Sequence, residues 1–156
     1  MKQSAGILLY RKIGGTLQVF LVHPGGPFFK NKDAGSWTIP KGEFLEDEEP
    51  LAAAKREFNE ETGQPITGEF ISLGSIRQKS GKTVHAWAVE GDIDHKTIVS
   101  NTTEIDWPPR SGKKLTIPEV DRAGWFEIAA AKQKINPAQV ELIERLSSQP
   151  PLNLPR

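Results

Sequence analysis

The chain is 156 residues long and carries 20 Lys+Arg against 20 Asp+Glu, a formal net charge of zero. That length suits one domain able to bury its own core, and the charge balance excludes a general nucleic-acid coat or a membrane-surface protein. Cysteine is absent, which excludes disulfides, thiolate catalysis and zinc–thiolate sites. No apolar run approaches the ~20 residues that span a bilayer, and the start, Met1-Lys2-Gln3-Ser4, lacks the small-residue cleavage site of a secretory signal. The expectation is a cytoplasmic protein with no membrane partner and no nucleic-acid partner.

In chain order, Ala5–Tyr10 (AGILLY) and Leu17–Val22 (LQVFLV) are apolar runs separated by Gly14-Gly15, a strand–turn–strand signal. A loop from Pro24 to Ser36 follows, then a short strand Trp37-Thr38-Ile39 ended by Pro40. Leu51 to Thr62 reads as a helix, with Asp47 as its N-cap, Pro50 in the first turn and Gly63 as its stop. Phe70–Ile76 and Thr83–Val89 read as two strands around a Ser80-Gly81 turn. Proline and glycine interrupt Val99 to Lys114, which reads mostly as loop. Gly124–Ile128 is a last strand, and Ala129–Lys134 and Pro137–Ser147 are helical. The pattern predicts one α/β domain over residues 1–148, built as a sandwich, with a Pro-rich tail at 149–156.

The chemistry concentrates between Gly42 and Gln64, GEFLEDEEPLAAAKREFNEETGQ. On a helix, Glu57, Glu60 and Glu61 stand at i, i+3 and i+4, so all three project from one side. Leu51, Ala54 and Phe58 form a neighbouring apolar stripe for docking on a sheet. Like charges so placed repel, and a hard divalent cation converts that repulsion into coordination. Arg56 lies four residues from Glu60 and eight from Glu48, so it bridges the helix and the preceding loop as an architectural group.

This stretch resembles the Nudix box, G-x5-E-x7-R-E-U-x-E-E-x-G-U with U apolar. The matching positions are Gly42, Glu48, Arg56, Glu57, Phe58, Glu60, Glu61 and Gly63; Gln64 departs from the final apolar position. The resemblance implies a Nudix-type α/β/α sandwich with a mixed β-sheet. It also implies Mg²⁺-dependent hydrolysis (Mn²⁺ as the alternative) of a nucleoside diphosphate linked to another group. On this reading Glu57, Glu60 and Glu61, with the Gly42 carbonyl, are the metal ligands. Glu57 is the general base, with Arg56 and Glu48 completing the catalytic group, and Glu104 and Glu119 are alternative bases outside the box.

Trp37-Thr38-Ile39-Pro40-Lys41-Gly42 looks like the entry to the box in (di)nucleoside polyphosphate hydrolases, which implies a substrate such as diadenosine tetraphosphate. Trp37 and Lys41 then join Arg77, Lys79, Lys82 and His85 as substrate contacts. Arg110, Lys113 and Lys114 form a second basic loop, and Trp107, Phe28 and Phe29 are candidate stacking surfaces for a base. Oxidised nucleoside triphosphates, RNA 5′ triphosphate ends and nucleotide sugars are the alternative substrates, and a nucleotide-binding module without catalysis is the alternative class. The partner is a nucleotide polyphosphate, and the expected state is monomer or homodimer. Glu43 to Glu61 holds eight acids against Lys55 and Arg56, so the remainder carries a net charge of +6. Neutrality is the sum of an acidic patch and basic loops.

Overall fold

The computed structural model describes residues 2–149. The tail expected at 149–156 therefore lies, beyond Gln149, outside the described residues.

The apolar run AGILLY becomes the middle of β1 (Gln3–Ile13), and LQVFLV becomes β2 (Thr16–Pro24). Both runs are apolar at odd and even positions because both faces of these strands are covered. Ala5, Ile7 and Leu9 point into one core, while Leu8 and Tyr10 point into the other. β1 pairs antiparallel with β2 and parallel with β5 (Thr83–Glu90), which pairs antiparallel with β4 (Ile71–Arg77). β2 carries β8 (Val120–Glu127) on its other side, and β3 (Lys41–Glu43) pairs with the start of β1. The order β4-β5-β1-β2-β8, with β3 on β1, is one mixed six-stranded sheet.

Helix α1 (Pro50–Thr62) covers one face through Ala53, Ala54 and Phe58, all fully buried. Helices α2 (Ile128–Lys134) and α3 (Val140–Ser147) cover the other through Ala131, Leu142, Ile143 and Leu146. This is the expected α/β/α sandwich. Among the described residues, no helix is long and apolar enough to cross a membrane.

Four local expectations need correction. Trp37 and Thr38 form only isolated bridges, to Ile135 and Val22, and the strand next to them is Lys41–Glu43. The N-cap of α1 is Glu49, with no side-chain cap, rather than Asp47; Pro50 at the first helical position lacks an N–H to satisfy. The stretch Val99–Lys114 contains β6 (Thr102–Asp106), which pairs with β7 (Lys114–Pro118) in a hairpin. This hairpin is mostly exposed, so its strands lack the apolar alternation that marks a half-buried sheet. The final strand begins at Val120, four residues earlier than its apolar segment indicated.

Phe58 is the largest side chain that α1 contributes to the core, and its ring lies 6.1 Å from that of Phe20. Phe58→Ala should cost about 3–5 kcal/mol through lost burial and a residual cavity. Urea unfolding measures this, and a loss below about 1 kcal/mol would show that α1 docks by other contacts.

Candidate active site

Two elements make the site. β3 is locked to β1 by the pairs Ser4–Glu43, Ala5–Gly42 and Gly6–Lys41. α1 lies over that junction because its apolar stripe is pressed on the sheet, which turns Glu57 and Glu61 inward. Only 7% of Glu57 and 6% of Glu61 remain exposed. The Glu57 carboxylate rests directly on Gly42, where any Cβ would overlap it. Glycine is required there for close approach.

Ordinary physical chemistry disfavours this arrangement. Burial, then the charge of Glu60, pushes the Glu57 carboxyl up to about 7, with Arg56 partly opposing. Glu61 is held well above the usual carboxylate range by burial and then by Glu57 and Glu119; the Lys41 charge and backbone N–H pull the other way. Glu119 is raised by burial and Glu60, against a hydrogen bond from the Asn101 side chain. Glu57 Oε2 is buried without a hydrogen-bond partner. Arg56 Nη1 lies 3.5 Å from it but makes no hydrogen bond to it.

Arg56 is engaged elsewhere. Its Nε and Nη2 donate to the two oxygens of Glu48 at 2.8 and 3.0 Å, and Nη1 donates to Glu60 Oε2 at 3.0 Å. The guanidinium holds Glu48 below the usual carboxylate range and is itself raised by Glu48. This fork ties the loop before α1 to the helix. Glu60 nevertheless acts on the inner acids, since its charge helps to raise Glu57 and Glu119. Among the described residues, no three acidic or imidazole side chains are already gathered as a cation cage.

The far end of α1 is anchored by residues 99–101. The Val99 N–H donates to the Thr62 carbonyl and the Asn101 N–H to the Glu60 carbonyl, while the Glu119 N–H donates to the Asn101 carbonyl. Glu119 is thereby brought to the acid group. Glu104, by contrast, is exposed on β6 opposite Thr116. Of these two residues, Glu119 is the one whose charge acts on Glu57 and Glu61. Asn101 was not anticipated, since it sits in an irregular stretch with no motif around it.

Lys41 is partly buried, and desolvation followed by the Lys82 charge lowers its pKa, against Glu61, Glu43 and Glu57. Lys82 is ion-paired to Glu43 at 2.8 Å. His85 shares a hydrogen bond of 2.7 Å with Gln3 Oε1. Lys79 is exposed beside the Ser80-Gly81 turn, and Arg77 ends β4 opposite Thr83. Trp37 departs from expectation. It is 5% exposed, packed on Phe126 and His23, and its Nε1 donates to Asp33. A side chain so placed belongs to the core and cannot stack on a ligand. Phe28 remains exposed, with Lys32 over its ring.

Comparison with known proteins gives the family and the fold. The sequence profile of the NUDIX domain matches residues 2–146. The Nucleoside triphosphate pyrophosphatase/Nudix hydrolase fusion protein of Bifidobacterium longum (strain NCC 2705) is 31% identical over 149 residues, covering 87% of this chain and 29% of that protein. The chain thus spans under a third of that relative's length. Among solved structures, a C. elegans Ap4A hydrolase binary complex has a TM-score of 0.62 at 22% identity, over 95% of this chain and 96% of that one. The NUDIX domain of Shewanella oneidensis NrtR complexed with ADP ribose has a TM-score of 0.63 at 17% identity, over 92% and 84%.

The raised acids give a pH signature to the cation-free protein. A carboxyl lifted to about 7 when folded contributes stability that is complete below its unfolded value and lost as pH rises through about 7. The thermal midpoint in EDTA should therefore fall from about pH 5 to about pH 8, by the equivalent of on the order of 2 kcal/mol. Glu57→Gln should flatten the fall. A midpoint that rises across this window would contradict the burial of ionised acids.

Proposed function

The chain belongs to the NUDIX domain family, and on that premise we propose that it hydrolyses a phosphoanhydride bond in a nucleotide polyphosphate with the help of a divalent cation. The observation that carries this reading is the buried, unpartnered Glu57 Oε2 seated on Gly42 beside Glu61. A desolvated pair of carboxylates with an orphaned oxygen, next to a backbone cleared of any Cβ, fits a hard cation and little else. Glu57 and Glu61 with the Gly42 carbonyl would hold Mg²⁺ or Mn²⁺, and Glu60 would join them on leaving Arg56. The bound cation supplies neutralisation of phosphate charge and a water of lowered pKa.

The chain's own groups do the rest. Glu57, whose carboxylate faces Gly42 beside Glu61, is the group we assign to accept the proton of the attacking water. Glu119 is the alternative, entering the same patch from the start of β8. Arg56 and Glu48 fix the loop that carries β3 into α1 and so hold Gly42 against Glu57. Lys41, beside the acids, meets the substrate phosphates as a point charge.

For the substrate, we favour a dinucleoside or nucleoside polyphosphate such as diadenosine tetraphosphate. The Trp37-to-Gly42 entry, with Lys41 next to Gly42, supports this choice, as does the fold likeness to a protein described as an Ap4A hydrolase. The absence of cysteine suits a cytoplasmic setting.

Glu57→Gln and Glu61→Gln should each lower kcat by about 10²–10⁴-fold with the circular dichroism spectrum unchanged, and EDTA should abolish turnover of the wild type. Near-normal kcat in both variants would remove the assignment. Chromatography of a substrate panel should show ATP and AMP, or ADP, from diadenosine tetraphosphate. Turnover confined to oxidised dGTP would overturn the substrate and leave the chemistry standing.

A further inference from the structure

The exposed hairpin of β6 and β7 has its foot in the acid group. Asn101 immediately precedes β6 and Glu119 immediately follows β7, so the two form the next pair beyond Thr102–Pro118. The Glu119 N–H donates to the Asn101 carbonyl at 3.0 Å, and the Asn101 N–H donates to the carbonyl of Glu60 in α1 at 2.7 Å. Asn101 therefore joins the backbone of one acid on the helix to the backbone of another on the far side of the hairpin.

The backbone of this foot is pinned on further sides. The Glu119 carbonyl accepts from the Gly25 N–H at 3.0 Å, and a Cβ on Gly25 would lie 2.1 Å from the Pro118 carbonyl oxygen. The Val120 N–H donates to Ser100 Oγ at 3.0 Å, and Ser100 Oγ donates to the Asn101 carbonyl at 2.8 Å. These bonds fix where the Glu119 side chain starts. They do not aim its carboxylate, because a glutamate side chain is long and rotatable. The Asn101 side-chain amide donates to that carboxylate. The Glu119 charge acts on Glu57 and Glu61, and Glu60 acts on Glu119 in turn.

We infer that Asn101 is a positioning residue, whose side-chain amide aims the Glu119 carboxylate towards Glu57 and Glu61 so that Glu119 joins the acid group from the hairpin side. An amide suits this task because it donates without carrying charge. It steadies the carboxylate and leaves its negative charge in place, whereas Arg56 neutralises the carboxylate of Glu48. Carboxylates at metal sites are held by such outer hydrogen bonds, whose loss typically costs about 10–100-fold in metal affinity or activity. This inference rests on the reading that the acids hold a divalent cation for phosphoanhydride hydrolysis.

The test is a double-mutant cycle of Asn101→Leu and Glu119→Gln, read first by calorimetric titration of the whole chain with Mg²⁺ and no nucleotide. Asn101→Leu should weaken Mg²⁺ binding about tenfold. In the Glu119→Gln background the same change should shift it less than twofold, because its route runs through Glu119. With diadenosine tetraphosphate at saturating Mg²⁺, Asn101→Leu should lower kcat about tenfold and move KM less than twofold. Retained thermal midpoints show that the variants fold. Asn101→Ser, too short to reach the carboxylate, repeats the cycle where the leucine variant loses its midpoint.

Every variant keeps the Asn101 backbone N–H and carbonyl. A residue that only anchors the hairpin would therefore leave Mg²⁺ affinity unchanged, or lower it equally in both backgrounds. Either result overturns the inference, as does a raised KM at unchanged kcat or the absence of measurable Mg²⁺ binding by the wild type. A coupled Mg²⁺ cycle while diadenosine tetraphosphate stays intact would isolate a failure of the hydrolase reading. Turnover with an uncoupled cycle would isolate a failure of the positioning role.

Discussion

The contact between the Glu57 carboxylate and Gly42 is the constraint on which the rest of this structure depends. It places an ionisable group in a nearly water-free position with one oxygen unpartnered. Such a position persists only when the surroundings leave it no alternative. Here the β1–β3 register sets Gly42, and the apolar stripe of α1 sets Glu57. Neither element is shaped by the acid it carries. The hydrophobic core supplies the driving force, and the charge is carried along at a cost.

That cost is spread over the molecule in a readable way. Arg56 neutralises the outer acids, Glu48 and Glu60, with directed hydrogen bonds. The inner pair receives less: Glu61 has the Lys41 backbone N–H, and Glu57 has Arg56 Nη1 at 3.5 Å without a hydrogen bond to its Oε2. One guanidinium therefore hydrogen-bonds the outer two carboxylates and leaves Glu57 Oε2 without a donor. Glu57 faces β3, next to which the lysines gather around Glu43. An acid patch and a basic cluster lie side by side, which is what a cation and a polyanion bound together require. The zero net charge of the chain is the sum of the −6 between Glu43 and Glu61 and the +6 of the remaining residues.

Much of this was legible in the sequence for specific reasons. The unbroken run from Ala5 to Tyr10 announced a strand covered on both faces, and Glu57, Glu60 and Glu61 announced a one-sided acid group by spacing alone. Both signals depend on local periodicity. The hairpin at residues 102–118 was not legible, because strands exposed on both faces carry no apolar alternation. The burial of Trp37 was hidden for a different reason: its partners His23, Phe126 and Ile135 come from separate segments. Lys2, Lys41 and Lys82, which all act on Glu43, are likewise brought together from separate segments and share no spacing that a linear reading detects. The pairing of Arg56 with Glu60 at 3.0 Å follows the i, i+4 spacing from which it was expected.

The central claim is that the buried acids are partly protonated until a divalent cation takes the proton's place. Calorimetric titration with Mg²⁺ at about pH 7, repeated in two buffers of different ionisation enthalpy, measures the protons exchanged on binding. The account predicts net proton release, a sizeable fraction of one per cation, which shrinks as the pH is raised above the Glu57 value of about 7. Heats that are the same in both buffers would contradict it, because no protonated carboxyl would then stand where the cation binds.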